Sequence, residues 1–235
     1  MITIACVYKA NNTTSFGGQH KGIGANYDVT WVQKLARGVE KHIQEPHQFI
    51  CLSDVEVPGV ETFPLFHDWP GWWSKLELFR PGLFDGPVLY FDLDVMLTGD
   101  LTAMTGPFDN MVMLSDIYPH IDNSSCMWWD ASNVFYGNIY TSFARDPQVL
   151  SSIYNTVQKL GDQAYISEIV TFSGYIIDRW QSVLPKDWFV PYSFSSQLNP
   201  MVRNGLPEDA RLVYSLGAPK FDHPPVLDFV KEHWV

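Results

Sequence analysis

Asp92 and Asp94 are the residues of this chain whose type and spacing could do chemistry. They close an apolar run that starts after Gly86-Pro87 and is followed by Gly99-Asp100. Val88 to Phe91 read as a buried strand that runs out at a loop. On a strand, residues i and i+2 point the same way, so the spacing predicts that both carboxylates converge on one point. Two adjacent anions repel unless a cation lies between them. Oxygen-only donors suit a hard divalent ion, Mg²⁺ or Mn²⁺, of the kind that joins a protein to phosphates. The competing reading is a pair of strand-end carboxylates that merely face water.

The elements around this run must position it. Ile2 to Tyr8 read as a first strand, followed by a polar, Gly-rich loop over Asn11 to Gly24. A helix is predicted from Asp28, which can cap it. Val29, Val32, Leu35, Ala36, Val39 and Ile43 fall on one face of it. Gln48 to Leu52 read as a second strand ending at Ser53-Asp54, and Val60 to Phe66 as a third broken up by Pro64. A short helix is predicted over Trp73 to Phe79, stopped by Pro81-Gly82. This alternation implies an α/β fold with a mostly parallel sheet. Ligands of such sheets bind beyond the carboxyl ends of the strands, where Asp54, Asp92 and Asp94 all lie.

The second half is less regular. Met111 to Leu114, Cys126 to Trp129 and Val134 to Tyr136 read as strands, the last two close enough to pair. Asp146-Pro147 opens a helix expected to bury Val149, Leu150, Ile153, Val157 and Leu160, and to stop at Gly161. Asp162-Gln163 open the next helix, through about Val170. Tyr175 to Ile177, Phe189 to Tyr192 and Leu212 to Leu216 are shorter strand candidates. From Gly217 onward, Pro219, Pro224 and Pro225 mark an extended tail.

Composition narrows the class. A chain of 235 residues with 46% hydrophobic and 15% aromatic content can bury a large core, which argues against disorder. The net charge of −11 and the absence of a Lys/Arg run argue against a broad nucleic-acid or anionic-membrane surface. Cys6, Cys51 and Cys126 are odd in number and far apart, with no C-x-x-C spacing. They read as reduced, buried thiols, which favours a cytoplasmic protein. The expectation is an unexported chain with no membrane span.

Several segments together resemble one family. Trp72-Trp73-Ser74-Lys75-Leu76, followed by Leu89 to Asp94, resembles the nucleotide-sugar half of GT-A glycosyltransferases, closest to family 8-like bacterial and phage members. Asn123-Ser124-Ser125-Cys126-Met127 is similar to the small-residue segment behind the donor sugar in that group. Gly161-Asp162-Gln163 resembles its D-Q segment, and Gly217-Ala218-Pro219-Lys220 its C-terminal G-x-x-K element. The resemblance implies a GT-A domain over 1–235. Within it, 1–100 would bind the nucleotide, 101–216 would hold donor sugar and acceptor, and 217–235 would close over the pyrophosphate. The closing segment is expected to be mobile until a nucleoside diphosphate binds.

The resemblance also implies roles. Asp92 and Asp94 would hold Mn²⁺ or Mg²⁺, and Lys75 and Lys220 would place charge beside the diphosphate of a UDP-sugar. Asp162 and Gln163 would face the reacting carbon, with retention of configuration. The family usually carries a histidine ligand shortly before or beside the C-terminal glycine. Here Tyr214, Ser215 and Leu216 occupy the stretch, so either His223 substitutes or the metal takes two protein ligands plus diphosphate and water. Asn123, Ser124 and Gly217 are carried over as donor contacts.

Bland readings compete at each position. Lys75 could be a solvated helix residue, Asp162 a plain N-cap, and Asp54 a helix cap rather than a ribose or base contact. Tyr8 and Tyr27 could stack on a base or simply pack. Trp72, Trp73, Trp128 and Trp129 could stack on an acceptor sugar, though core is the default. His20, His42, His47, His67, His120 and His233 show no metal-ligand spacing. Two other function classes stand beside the transferase. One is a haloacid-dehalogenase-type phosphatase with Asp92 as nucleophile. The other is a non-catalytic sugar- or nucleotide-binding module. The acceptor is not legible.

Overall fold

The computed structural model describes residues 1–10, 27–118, 120–156, 160–192, 205–217 and 220–235. The Gly-rich loop over Asn11 to Gly24 therefore lies outside the described residues. Strands β1 (Ile2–Tyr8), β2 (His47–Ser53), β3 (Glu61–Pro64) and β4 (Pro87–Phe91) form where the apolar runs predict them. They join β6 (Met111–Ser115), β7 (Asp122–Asp130) and β8 (Ile177–Arg179) in a seven-stranded sheet of order β3-β2-β1-β4-β7-β6-β8. Pairing is parallel except on the two sides of β7, which runs against β4 and β6. This is the mostly parallel α/β sheet expected.

A small second sheet interlocks the two ends of the chain. β5 (Val95–Leu97), just after the paired aspartates, runs antiparallel to β10 (Leu212–Ser215), which pairs in parallel with β9 (Phe189–Tyr192). Residues from the first hundred and the last twenty-five thus share one core cluster, from Ile4 and Leu35 to Phe221 and Trp234. A second cluster covers the other sheet face, where Trp73, Phe143 and Tyr165 pack ring on ring.

Helix α1 (Val29–His42) is capped by Asp28, whose carboxylate accepts the Thr30 N–H at 2.9 Å. It buries Trp31, Val32, Leu35 and Val39. A 3-10 helix spans Gly71–Phe79 and buries every side chain from Trp73 to Phe79. Helices α2 (Gly137–Arg145), α3 (Pro147–Tyr154) and α4 (Asp162–Phe172) follow on the same face, then the short α5 (Trp180–Val183).

Four expectations are corrected. Val134 to Tyr136 make a 3-10 turn, capped by Asn133 at Phe135 N, because β7 is already paired on both edges. Helix α3 turns Ser151 and Tyr154 inward and leaves Val149 and Ile153 about half exposed. The Tyr154 hydroxyl donates to Glu168 at 2.7 Å, which fixes that rotation; Val157 lies outside the described residues. The strand predicted at Tyr175 starts two residues later, at Ile177, with Tyr175 and Ile176 exposed. The tail is not extended throughout: it closes with helix α6 (Asp228–His233), and Phe221, Phe229, Val230 and Trp234 are buried.

Candidate active site

Strand register sets the rim on which the site stands. Tyr8 pairs with Ser53 and Ala5 with Tyr90, so β1, β2 and β4 run out side by side. That brings Lys9, Asp54 and Asp92 to one edge. β7 enters the sheet from the same edge because it is antiparallel, so its first residues, Asp122 to Ser125, also lie there. Asp162 arrives from the first turn of α4.

Lys75 is the hub. Its ammonium lies 3.0 Å from Asp92 Oδ1, 2.8 Å from Asp162 Oδ2 and 2.9 Å from Ser124 Oγ. Ser124 Oγ donates in turn to Asp162 Oδ2 at 2.8 Å. Lys75 is buried, on the 3-10 helix, so the reading as a solvated helix residue is set aside. Burial alone would pull its pKa down; Asp162 and Asp92 outweigh that and hold it above the ordinary lysine value. The N-cap of α4 is Gly161, not Asp162. The Asp162 carboxylate therefore serves Lys75 and Ser124 rather than orphan helix amides. Gly161 has φ +73°, and a Cβ there would fall 2.6 Å from the Trp72 indole nitrogen. Only glycine allows that approach.

The paired aspartates do not sit on a strand. Asp92 to Val95 form a tight turn, closed by Val95 N–H to Asp92 O at 3.2 Å, between β4 and β5. Each carboxylate is met by a lysine. Asp92 accepts from Tyr90 and Lys75; Asp94 accepts from Lys220. Burial and the neighbouring carboxylates raise the phenols of Tyr90 and Tyr27 above the usual tyrosine value. At Tyr27 the negative charge of Asp94 and Asp92 adds to the effect of burial. Two such hard oxygen donors fit a divalent cation. His223 does not join them. Its Nδ1 lies 3.1 Å from Asp222 Oδ1 and 3.2 Å from Lys220 N. Among the described residues no three His, Cys, Asp or Glu side chains converge as a metal group. Asp92 and Asp94 are the two carboxylates of this turn that could hold such a cation.

At the other end of the rim Asp54 accepts from Lys9 Nζ at 3.2 Å and from Ala10 N at 2.7 Å. Lys9 also reaches Asp68 at 2.6 Å. Tyr8 is buried at the end of β1, its phenol pushed up by burial first and then by Asp28 and Asp54. Tyr27 stacks obliquely on Trp31 at 4.7 Å.

Asn123 is buried and committed: its amide donates to Asp116 Oδ2 at 3.1 Å and its carbonyl accepts Ser125 N–H at 2.9 Å. Tyr214, where the family pattern has histidine, is buried in β10, its phenol raised by burial and by Asp116. Gly217 has φ +68° and its carbonyl accepts from Ser215 Oγ at 3.3 Å. Gln163 is half-buried beside Asp162, and its side chain has no hydrogen-bond partner among the described residues. Trp73, Trp128 and Trp129 are core; Trp72 is half-buried against Gly161. Sequence reasoning missed Lys9, Tyr90 and Asp116. Tyr90 was findable, since it stands two residues before Asp92.

With that geometry in place, the fold can be compared with solved structures. An active-site mutant of LgtC matches with TM-score 0.64 at 12% identity, over 98% of this chain and 93% of that one. The galactosyltransferase LgtC in complex with donor and acceptor sugar analogues matches with TM-score 0.61 at 12% identity, over 95% of this chain and 90% of that one. The glycosyltransferase GlyE from Streptococcus pneumoniae TIGR4 matches with TM-score 0.63 at 12% identity, over 99% of this chain and 59% of that one. No family model matches the chain, and no curated protein matches it in sequence. The chain therefore has the GT-A-type fold of glycosyltransferases. Among the described residues no helix is long and apolar enough to cross a membrane.

Proposed function

We propose that this protein is a glycosyltransferase that moves a sugar from a nucleotide-sugar donor, a UDP-sugar, to an acceptor hydroxyl. The observation that carries this is the contact set of Lys75 with Asp92, Asp162 and Ser124 at the rim of a GT-A-type sheet. A departing diphosphate gathers negative charge, and preorganised cations lower that barrier. Lys75 and Lys220 supply fixed positive charge there. Asp92 and Asp94 would hold Mn²⁺ or Mg²⁺, which would neutralise the leaving diphosphate.

The remaining roles follow the rim. Tyr8 and Tyr27 border the base, Asp54 the ribose or base edge, and Asn123, Ser124 and Gly217 the donor. Asp162, held between Lys75 and Ser124, and Gln163 beside it face the anomeric carbon. The carbon–oxygen bond to the diphosphate breaks with its electron pair leaving on phosphate; the acceptor oxygen bonds the carbon and its proton passes to the departing phosphate. Retention rests on the family 8 resemblance. The site combines the 1–100 and 101–216 portions, with Lys220 of the closing segment. The chain is read as cytoplasmic. The phosphatase reading, with Asp92 as nucleophile, is not favoured by the fold, which is the GT-A type of the glycosyltransferases matched above.

The test is a panel of nucleotide sugars screened by thermal shift with Mn²⁺, followed by hydrolysis of any that bind. Stabilisation by one UDP-sugar together with slow release of its sugar to water is the expected outcome. Binding with no turnover would leave a binding module; no binding by any donor would remove the proposal.

A further inference from the structure

Tyr90 lies at the middle of the sheet, buried, with Ala5 of β1 on one side and Met127 of β7 on the other. A residue so held cannot swing. Its two polar relationships both enter the site. Its hydroxyl donates to Asp92 Oδ1, and its ring centroid lies 5.4 Å from Lys75 Nζ. Lys75 also sits closer to Oδ1, at 3.0 Å, than to Oδ2, at 3.4 Å. Tyr90 therefore binds Oδ1, and the Lys75 ammonium spans both oxygens, lying nearer Oδ1 and donating to Oδ2. Asp92 itself keeps a side-chain exposure of 24%, and Oδ2 is the oxygen that Tyr90 does not touch.

We infer that Tyr90 is a positioning residue of the donor site: its hydroxyl fixes which oxygen of Asp92 is presented, and its ring keeps Lys75 against the pair. This rests on the glycosyltransferase reading above. A carboxylate free to rotate could offer a cation either oxygen or both; one held by Tyr90 offers a single oxygen in one direction. Preorganised geometry of that kind is what supporting groups contribute to a metal ligand. The ring contributes separately, because a cation over an aromatic face is held by the ring quadrupole.

The experiment is calorimetric titration of UDP, with Mn²⁺ and with chelator, into wild type, Tyr90→Phe, Tyr90→Leu, Asp92→Asn and the Tyr90→Phe/Asp92→Asn double variant. Phenylalanine keeps the ring and drops the hydroxyl. UDP affinity in Mn²⁺ should fall about tenfold, the worth of one hydrogen bond to a charged group, with affinity in chelator unchanged. Tyr90→Leu should weaken both, since Lys75 is loosened too. The double variant should match Asp92→Asn alone. A Tyr90→Phe protein with wild-type affinity in Mn²⁺, or one whose loss simply adds to that of Asp92→Asn, overturns the inference and makes Tyr90 ordinary core. Wild type that binds UDP equally with chelator overturns the metal reading, and this inference with it. Thermal melts of each variant separate these outcomes from loss of fold.

Discussion

Lys220 reaches from the C-terminal segment to the carboxylate of Asp94, while Lys75 holds Asp92 from the 3-10 helix. The two aspartates are thus balanced by lysines from two distant parts of the chain. A cation arriving at Asp94 meets an ammonium already there. Lys220→Met should therefore have two effects of opposite sign. Mn²⁺ alone should bind more tightly, because a competitor is gone. UDP in the presence of Mn²⁺ should bind about tenfold more weakly, because the diphosphate loses a charge-assisted contact. Calorimetry with the metal alone and with UDP reads both; equal weakening of the two would show that Lys220 does not occupy the metal's place.

Asp162→Asn keeps the shape of the residue and removes the anion between Lys75 and Ser124. Asp92 still balances Lys75, so the fold should survive with a modest loss of stability. Turnover should drop by about 100-fold or more, the usual scale for losing a preorganised electrostatic group, with a smaller change in donor affinity. The comparison of kcat with the UDP dissociation constant checks this. A variant that loses only about 1 kcal/mol of stability, as a helix cap would, would return Asp162 to a structural role.

The end of the chain should be firmly docked even without nucleotide. Trp234 packs edge-on against Trp31 at 5.2 Å and beside Phe221 at 5.1 Å, and its carbonyl accepts from Lys34 Nζ at 2.9 Å. Trp234→Ala should cost about 3–5 kcal/mol, as expected for truncating a large buried aromatic. Urea denaturation measures it. Limited proteolysis should leave the stretch after Phe221 uncut with or without UDP; cutting there in the absence of ligand only would restore the expectation of a mobile closing segment.

Stability should fall as the solution turns acidic, through His42 and His233. Burial lowers both below the ordinary histidine value, and the nearby Lys41 adds to it; His233 also lowers His42. The unfolded chain then binds more protons between the folded values and the ordinary one, so the stabilisation is complete above about pH 6.5 and is lost as pH falls through the folded values. Melting temperatures from pH 7.5 to 5 should show this, and a His42→Gln/His233→Gln double variant should flatten the slope. An unchanged slope would assign the acid sensitivity to carboxylates.

Much of the fold was legible because local signals agreed. The apolar runs of β1 and β4 and the spacing of Val32, Leu35 and Val39 behind an Asp28 cap each name one element. The site was legible in its members too: Lys75, Asp92, Ser124 and Asp162 were all singled out, and the structure brings them together. What failed was geometry set by distant partners. The i, i+2 rule assumes that the strand continues to Asp94, but β5 is recruited by β10 from over a hundred residues away, and the chain turns at Asp92 to meet it. Val134 to Tyr136 are strand formers left without an edge. Helix α6 was hidden behind Pro224-Pro225, and its packing depends on Tyr192 of β9, which meets Phe229 and which no local pattern announces.

One reversed strand carries a last consequence. β7 runs opposite to both its neighbours, so the connection from β6 starts and ends at the edge where the candidate site stands, its two ends tied by Asp116 N–H to Ile121 O at 3.0 Å. Below it, Met127 is locked between Tyr90 and Met113. The span between those ends can therefore lengthen or shorten while Ser124 stays where it is, at an entropic cost that rises only about 0.6 kcal/mol per doubling. The turn behaves as a socket: what is plugged into it can be exchanged, and the paired strands that hold Ser124 need not be rebuilt.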